Sequence, residues 1–393
     1  MIKIDEILPW ESYLIQIRRH LHQYPEVGFD LIKTHDFVAN ELQMMGIEYH
    51  SHVGKNSLLG IIKNGIGPVI GLRADMDALP ITEANMTLPY RSQNDGKMHA
   101  CGHDAHTAML LGAAKYLNDH RNGWSGTVKL IFQEAEEGPN PGGAYGLCQS
   151  GLLDDVDSFF AFHVSGAFPS GTIAIKAGEA LASADTIKIK LVGKGAHAAY
   201  PHLGIDPILM QAEVIVALQS IITRQLDPTE NGVITVAKVS AGTTHNVIPE
   251  FAELEGTVRC FNETTRQKLQ VAIEDVLKGI TFMHGGTYEF QYIREYDPTI
   301  NTVSEARFFH RIIEDTFGAK TFIELEKPSL GAEDFSRYTA MKKGCIAWLG
   351  SKKNDETGYS LHHPLFNIDE SILKYGMLCF INIVRNYGKE TQK

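Results

Sequence analysis

Residues 126–139 read GTVKLIFQEAEEGP. The first eight are apolar and β-branched enough for a strand buried on both faces. A carboxylate loop comes next, with Glu134, Glu136 and Glu137, closed by Gly138 and Pro139. Two other runs share this pattern. PVIGLRADMD at 68–77 carries Asp75 and Asp77 at its end, and SFFAFHV at 158–164 carries His163. Between the first two, DAHTAMLLGAAKYLN at 104–118 has apolar residues at helical spacing. Helices alternating with buried strands predict an α/β fold in α/β/α layers. In such folds ligands gather at the carboxyl ends of the strands.

Outward from this centre, residues 8–23 and 34–46 predict two helices. Pro25 ends the first; Thr34 is a candidate N-cap and Gly46 a candidate C-cap of the second. The middle of the chain has another character. SADTIKIKLVG (183–193) alternates like a half-exposed strand, and 206–224 is an amphipathic helix opened by Asp206-Pro207. GVITVAKVS (232–240) and PEFAELEGTVRCF (249–261) are strands, 262–280 is a helix capped by Asn262, and TYEFQYIRE (287–295) is a last strand. The order β-α-β-β-α-β is the ferredoxin-like arrangement. A discontinuous domain, 1–182 and 296–393, is therefore interrupted by a smaller one, 183–295. Helical patterns resume at 303–317, 333–342 and 369–386, with strand-like CIAWLG at 345–350.

The length of 393 residues agrees with two domains, since one core stops growing at roughly 250–300 residues. With 36 Lys+Arg against 47 Asp+Glu, the net charge of -11 speaks against a nucleic-acid partner. Five scattered Cys are no disulfide framework, and a reducing, cytoplasmic setting is expected. Asp5, Glu6 and Glu11 precede Arg18-Arg19 with no apolar run after them, unlike a secretory signal. No charge-free apolar stretch reaches about 18 residues, so no membrane partner is expected.

The candidate chemistry lies just beyond the predicted strands. MHACGHDAHTAML offers Cys101 and His103; QEAEEGP offers Glu134, Glu136 and Glu137; FFAFHVSG offers His163; LHHP offers His362 and His363. Cys, His and Glu suit Zn, Mn, Co or Ni better than Mg or Ca. Singly, each has an ordinary reading: a buried small thiol, a structural histidine, a solvated carboxylate pair. Their joint placement beyond consecutive strands is what points to a metal. His20, His22, His35, His50, His52, His120, His284 and His310 fall on helix faces or in polar turns and receive no role.

GLRADMDALP, HACGHDAHTAML, AEEG, KGAHAAYPHLGIDP, TTHNVIPE, GAEDF and LHHPLF occur in this order over about residues 13–386. In this the chain resembles the N-acyl-amino-acid amidohydrolases. These are the hippurate hydrolase, indole-acetyl-amino-acid hydrolase and N-acetyl-diaminopimelate deacetylase branch of the aminoacylase/carboxypeptidase dimetal hydrolases. The resemblance implies a dimetal catalytic domain and makes 183–295 a lid that also forms a homodimer. It implies two divalent ions per subunit (Mn, Zn, Ni or Co) held by Cys101, His103, Glu137, His163 and His362. Glu136 would be the general base, and His197 an oxyanion donor reaching a partner subunit's site. Asn246 and Arg259 would hold the substrate carboxylate, and Asp77 would orient a ligand histidine. The substrate would be a small N-acyl amino acid or conjugate, cleaved at its amide bond.

Some features depart from the branch. Pro139 and Pro141 replace a glycine run after AEEG, and His363 stands where a small polar residue is usual. That leaves His363 as an alternative to His362. Ala196 and Tyr200 stand where Gly and Met are common. Asp75 occupies a position where other branches have a ligand histidine, and it is not assigned to metal. Three further readings are weighed: a di- or carboxypeptidase with the same site, a non-catalytic binding protein, and a Cys101 nucleophile with His103 as base.

Overall fold

A computed structural model describes residues 1–390. The chain falls into two units. One comprises Met1–Gly178, Ile300–Lys327 and the chain from Asp334 onward; the other comprises Glu179–Thr299 and Pro328–Glu333. In chain order the strands are β1 (Glu48–Val53), β2 (Ser57–Asn64), β3 (Val69–Asp75), β4 (Gly126–Gln133), β5 (Ser158–Pro169) and β6 (Ile173–Ile175). The second unit adds β7 (Ala184–Val192), β8 (Gly232–Ala241), β9 (Phe251–Cys260) and β10 (Thr287–Tyr296). The first unit then resumes with β11 (Phe322–Glu324) and β12 (Lys343–Lys352).

The first unit is built on an eight-stranded sheet in the order β1-β2-β4-β3-β5-β12-β6-β11. Its middle, β4-β3-β5-β12, is parallel. These strands are apolar on both faces because both faces are covered, the usual condition for parallel sheets. Asp75 pairs with Gln133, and Arg73 with Ala161. Asp75 and His163 each lie two residues beyond that last pair. The ends of β3 and β4 and the His163 position in β5 thus meet along one edge of the sheet.

The main helices of this unit are α1 (Glu11–Gln23), α2 (Ile32–Met44) and α3 (His103–Asp119). In the second unit they are α4 (Pro207–Ser220) and α5 (Glu263–His284), and α6 (Val303–Phe317) and α7 (Leu373–Glu390) complete the first. Helix α3 packs on β3 and against α1 and α7. Close approach requires a small residue there: a Cβ on Gly112 would stand 2.4 Å from Leu14 Cδ2. Leu14, Met109, Leu117, Phe160, Phe380 and Val384 belong to the core these elements share.

The second unit has the sheet order β8-β9-β7-β10 with every neighbouring pair antiparallel. That is the ferredoxin-like order. Alternate residues Ile187, Ile189 and Leu191 of β7 are buried against Met210, Val214 and Leu218 of α4 and Leu269, Ile273 and Leu277 of α5. Asp206 and Asn262 cap α4 and α5, accepting N–H groups from Ile208 and Thr265 respectively.

Several element boundaries differ from expectation. Helix α2 begins at Ile32, and Thr34 is not its cap; the Glu26 carboxylate takes the Thr34 N–H at 2.8 Å and its hydroxyl at 3.0 Å. Helix α4 stops at Ser220, and Ile221–Gln225 continues as a wider π turn in which Leu226 N–H bonds Ile221 O. The predicted helix 333–342 is only Ser336–Met341. Strands β1 and β2 were not expected at all. Among the described residues no helix is long and apolar enough to cross a membrane.

Candidate metal centre

Cys101 and His103 flank Gly102, which caps α3 with φ +86°. A side chain at that position would meet Val164 Cγ2 at 2.2 Å, so the turn brings both neighbours against β5. Cys101 Sγ lies 3.3 Å from His163 Nε2. His163 Nδ1 donates to Val164 O at 2.8 Å, which leaves Nε2 as the lone-pair nitrogen facing the sulfur. His103 Nδ1 lies 3.2 Å from Asp77 Oδ1. Its other nitrogen, Nε2, is buried without a hydrogen-bond partner. Asp75 Oδ2 and Glu136 Oε2 stand 3.7 and 4.0 Å away from it.

Asp77 also shapes the carboxylate loop. Its Oδ1 accepts the Glu136 N–H and its Oδ2 the Glu137 N–H, each at 3.0 Å. Ala135, between Glu134 and the pair, holds φ +49°, and His362 holds φ +65°. Such conformations in non-glycine residues cluster at functional sites, where surrounding contacts hold the strain. His362 Nε2 lies 2.9 Å from Glu137 Oε1. His363 is occupied elsewhere: it stacks on Tyr359 at 4.6 Å, and its Nδ1 accepts the Leu365 N–H. Glu134 departs from its two neighbours. It turns away to cap the β1–β2 turn, accepting Lys55 N–H at 2.8 Å and Asn56 N–H at 2.5 Å.

The electrostatics are those of an anionic cluster. Burial, with Glu137 and Glu136 beside it, pushes the Cys101 thiol well up. His103 is raised to about 10, because Asp75, Asp77 and Glu137 outweigh the burial that opposes its charge. His163 is lowered to about 3 by burial and by neighbouring imidazoles, so it is neutral. The hydrogen bond to Glu137 raises His362. A thiol ringed by carboxylates, a neutral imidazole and a buried ring nitrogen with no partner together call for cations. Donor atoms lie within 4.8 Å of one another in three overlapping groups: Cys101–His103–His163, Cys101–Glu137–His362 and His103–Glu136–Glu137. These residues fit a divalent centre.

The model of peptidase family M20/M25/M40 matches residues 71–386, a span that contains every one of these groups. The chain belongs to that family. Among its M20 relatives is an IAA-amino acid hydrolase ILR1-like 2 from Arabidopsis thaliana, 38% identical over 394 residues, covering 99% of this chain and 87% of the relative. An N-acyl-L-amino acid amidohydrolase from Geobacillus stearothermophilus is 44% identical over 299 residues, covering 76% of this chain and 80% of the relative. The crystal structure of the Bacillus subtilis YXEP protein, described as a dinuclear metal binding peptidase of the M20 family, superposes with a TM-score of 0.85. It is 33% identical and covers 97% of this chain and 99% of that one.

The remaining predicted residues of this M20 protein lie in the second unit. His197 pairs with Val247 in a two-residue ladder and is exposed. Its Nδ1 accepts the Ala199 N–H at 3.0 Å, which puts the ring proton on Nε2. Asn246 is brought beside it: Asn246 O accepts the Ala198 N–H. Arg259 is on β9, where its Nη1 donates to Ser183 O at 3.5 Å. Residues that sequence reasoning passed over include His106 and Asp104 on α3 and Arg73 on β3, all buried in polar networks. His22, assigned no role, is fully buried between Asp104 at 2.7 Å and Glu83 at 3.3 Å. A signal was present: HDAH repeats a ligand-type residue one helical turn after His103, which turns His106 toward the same sheet edge.

Proposed function

We propose that this chain hydrolyses the amide bond of N-acyl amino acids. The observation that carries the reading is the gathering of Cys101, His103, Glu137, His163 and His362 from four separate stretches, with the Glu136 carboxylate beside His103. Two divalent ions of the Mn, Zn, Ni or Co class, held by those five side chains, would supply Lewis-acid activation of water and of the acyl carbonyl. Glu136 takes the proton of the attacking water as its oxygen bonds the acyl carbon. His197 Nε2–H reaches the partner subunit's site and donates there to the oxygen that becomes negative. The C–N bond then breaks, and Glu136 returns the proton to the leaving amine. Asn246 and Arg259 hold the substrate carboxylate, for which the planar guanidinium is suited. Asp77 holds His103 through Nδ1 and the Glu136–Glu137 turn through its two oxygens.

The same reading makes 1–182 with 296–393 the catalytic domain and 183–295 a lid through which two copies associate. It places the protein in the cytoplasm; five cysteines without a disulfide support that. A screen with Mn, Zn, Co and Ni over N-acetyl, N-benzoyl and longer acyl amino acids tests the activity. Release of free amino acid is the expected outcome. Cleavage confined to dipeptides would replace it with a peptidase, the reading that the Bacillus subtilis description favours. Ion binding with no hydrolysis of any substrate would leave a binding protein.

A further inference from the structure

Asp75, His103 and His106 also bring their donor atoms within 4.8 Å of one another, beside the groups above. A third ion would need lone pairs there, and those of Asp75 and His106 are engaged. Val164 N–H donates to His106 Nε2 at 2.9 Å, so that nitrogen carries no proton. The ring proton is on Nδ1, which donates to Asp75 Oδ1 at 2.5 Å. Asp75 Oδ2 accepts from Arg73 Nη1 at 2.6 Å. Thr107 Oγ1 holds the Asp75 carbonyl at 2.8 Å, and Arg73 Nη2 reaches Asp334 at 2.8 Å. Arg73, Asp75, His106 and Asp334 are all within 1% of complete burial. This is a network with its protons in fixed places.

Its far end meets the metal centre. Strand β3 pairs with β5 no further than Arg73–Ala161, so beyond that point β5 has lost its neighbour on one side. His106 supplies the acceptor that a strand would have given. Val164 is then held twice: its N–H by His106, and its C=O by His163 Nδ1–H at 2.8 Å. We infer that His106, oriented by Asp75, is a positioning residue that locks Val164 and so fixes the tautomer and direction of His163 Nε2. It acts through Val164 and is not itself a ligand. The inference rests on the proposed ligand role of His163.

The two ends of the His106 ring can be tested apart. In His106→Gln the amide oxygen can replace Nε2 and accept the Val164 N–H. In His106→Asn the amide nitrogen can replace Nδ1 and keep only the Asp75 contact. The probe is cobalt(II), read by competition with a chromophoric chelator and by the thiolate-to-cobalt and visible bands. We expect His106→Asn to lose about 10–100-fold in cobalt affinity, the usual effect of removing a partner behind a ligand, and to shift the bands. His106→Gln retains most of both. His163→Gln serves as the control for the ligand role. If it binds cobalt like the wild type, the ligand reading fails. If it weakens binding while folded His106→Asn keeps wild-type affinity and spectrum, the positioning inference alone fails. Equal losses in His106→Gln and His106→Asn, tracking a loss of thermal stability, also overturn it. They would mark His106 as general packing.

Discussion

Three acidic residues stand within four positions of one another, and the structure gives them different work. Glu134 satisfies the backbone of the β1–β2 turn, while Glu136 and Glu137 face the histidines of the centre. A Glu134→Ala protein leaves the buried Asn56 N–H and the part-buried Lys55 N–H without their acceptor. It should lose about 1–3 kcal/mol in urea unfolding while still binding metal. Asp77 makes the opposite case. Asp77→Ala removes the partner of His103 Nδ1 and of two loop N–H groups, and metal affinity should fall about 10–100-fold by chelator competition. At this scale the ligand-type side chains were legible in the sequence, because Cys, Glu and His are uncommon directly after buried strands. The division among the three glutamates was not. It depends on the φ +49° turn at Ala135, which no pattern of residue types announces. His362 and His363 are likewise alike as residue types; only the fold turns one to Glu137 and stacks the other on Tyr359.

At the scale of elements, helix α3 owes its position to Gly112 and to a buried ionic cluster at its first turn. Asp104 bonds Arg18 at 2.9 Å and His22 at 2.7 Å, and the other His22 nitrogen meets Glu83. Burial and the Arg18 charge oppose protonation of His22, yet the two carboxylates raise its titration above the ordinary 6.5. A raised folded value contributes stability that is full below about 6.5 and is lost as pH rises through the folded value. The wild type should therefore lose more unfolding free energy between pH 6 and pH 9 than His22→Gln, whose dependence is flatter. At pH 6 the variant should be weaker by about 1–3 kcal/mol. Urea titrations at the two pH values check both statements. Overpacking at Gly112→Leu should lower stability by about 1–3 kcal/mol or more, because Leu14 leaves no room. Periodicity found α3 but not this cluster, since a buried histidine and a surface one look alike in sequence. It also passed over β1, whose residues Glu48, His50, Ser51 and His52 are exposed at the sheet edge and alternate poorly.

The whole molecule shows why its middle was easy to read and its ends were not. Strand β7 of the ferredoxin-like unit buries one face, so Ile187, Ile189 and Leu191 alternate with more exposed neighbours. The parallel strands are buried on both faces and give runs without alternation, which locate a strand but not its partner order. The insertion of a second hydrophobic cluster, separate from the first, is visible in the sequence only as that change of period. Ions bound by the folded centre would also stabilise the molecule. At a free ion concentration 100 times the dissociation constant, about 2.7 kcal/mol is gained, so a strong chelator should lower the melting temperature and added Mn or Zn restore it.

The most direct test measures two quantities on one preparation of Glu136→Gln: divalent ions per chain, and release of amino acid from an N-acyl amino acid that the wild type cleaves. We expect two ions retained and turnover reduced about 10²–10⁴-fold, the share that a positioned base contributes. Undiminished metal-dependent turnover in that variant would contradict the proposed chemistry.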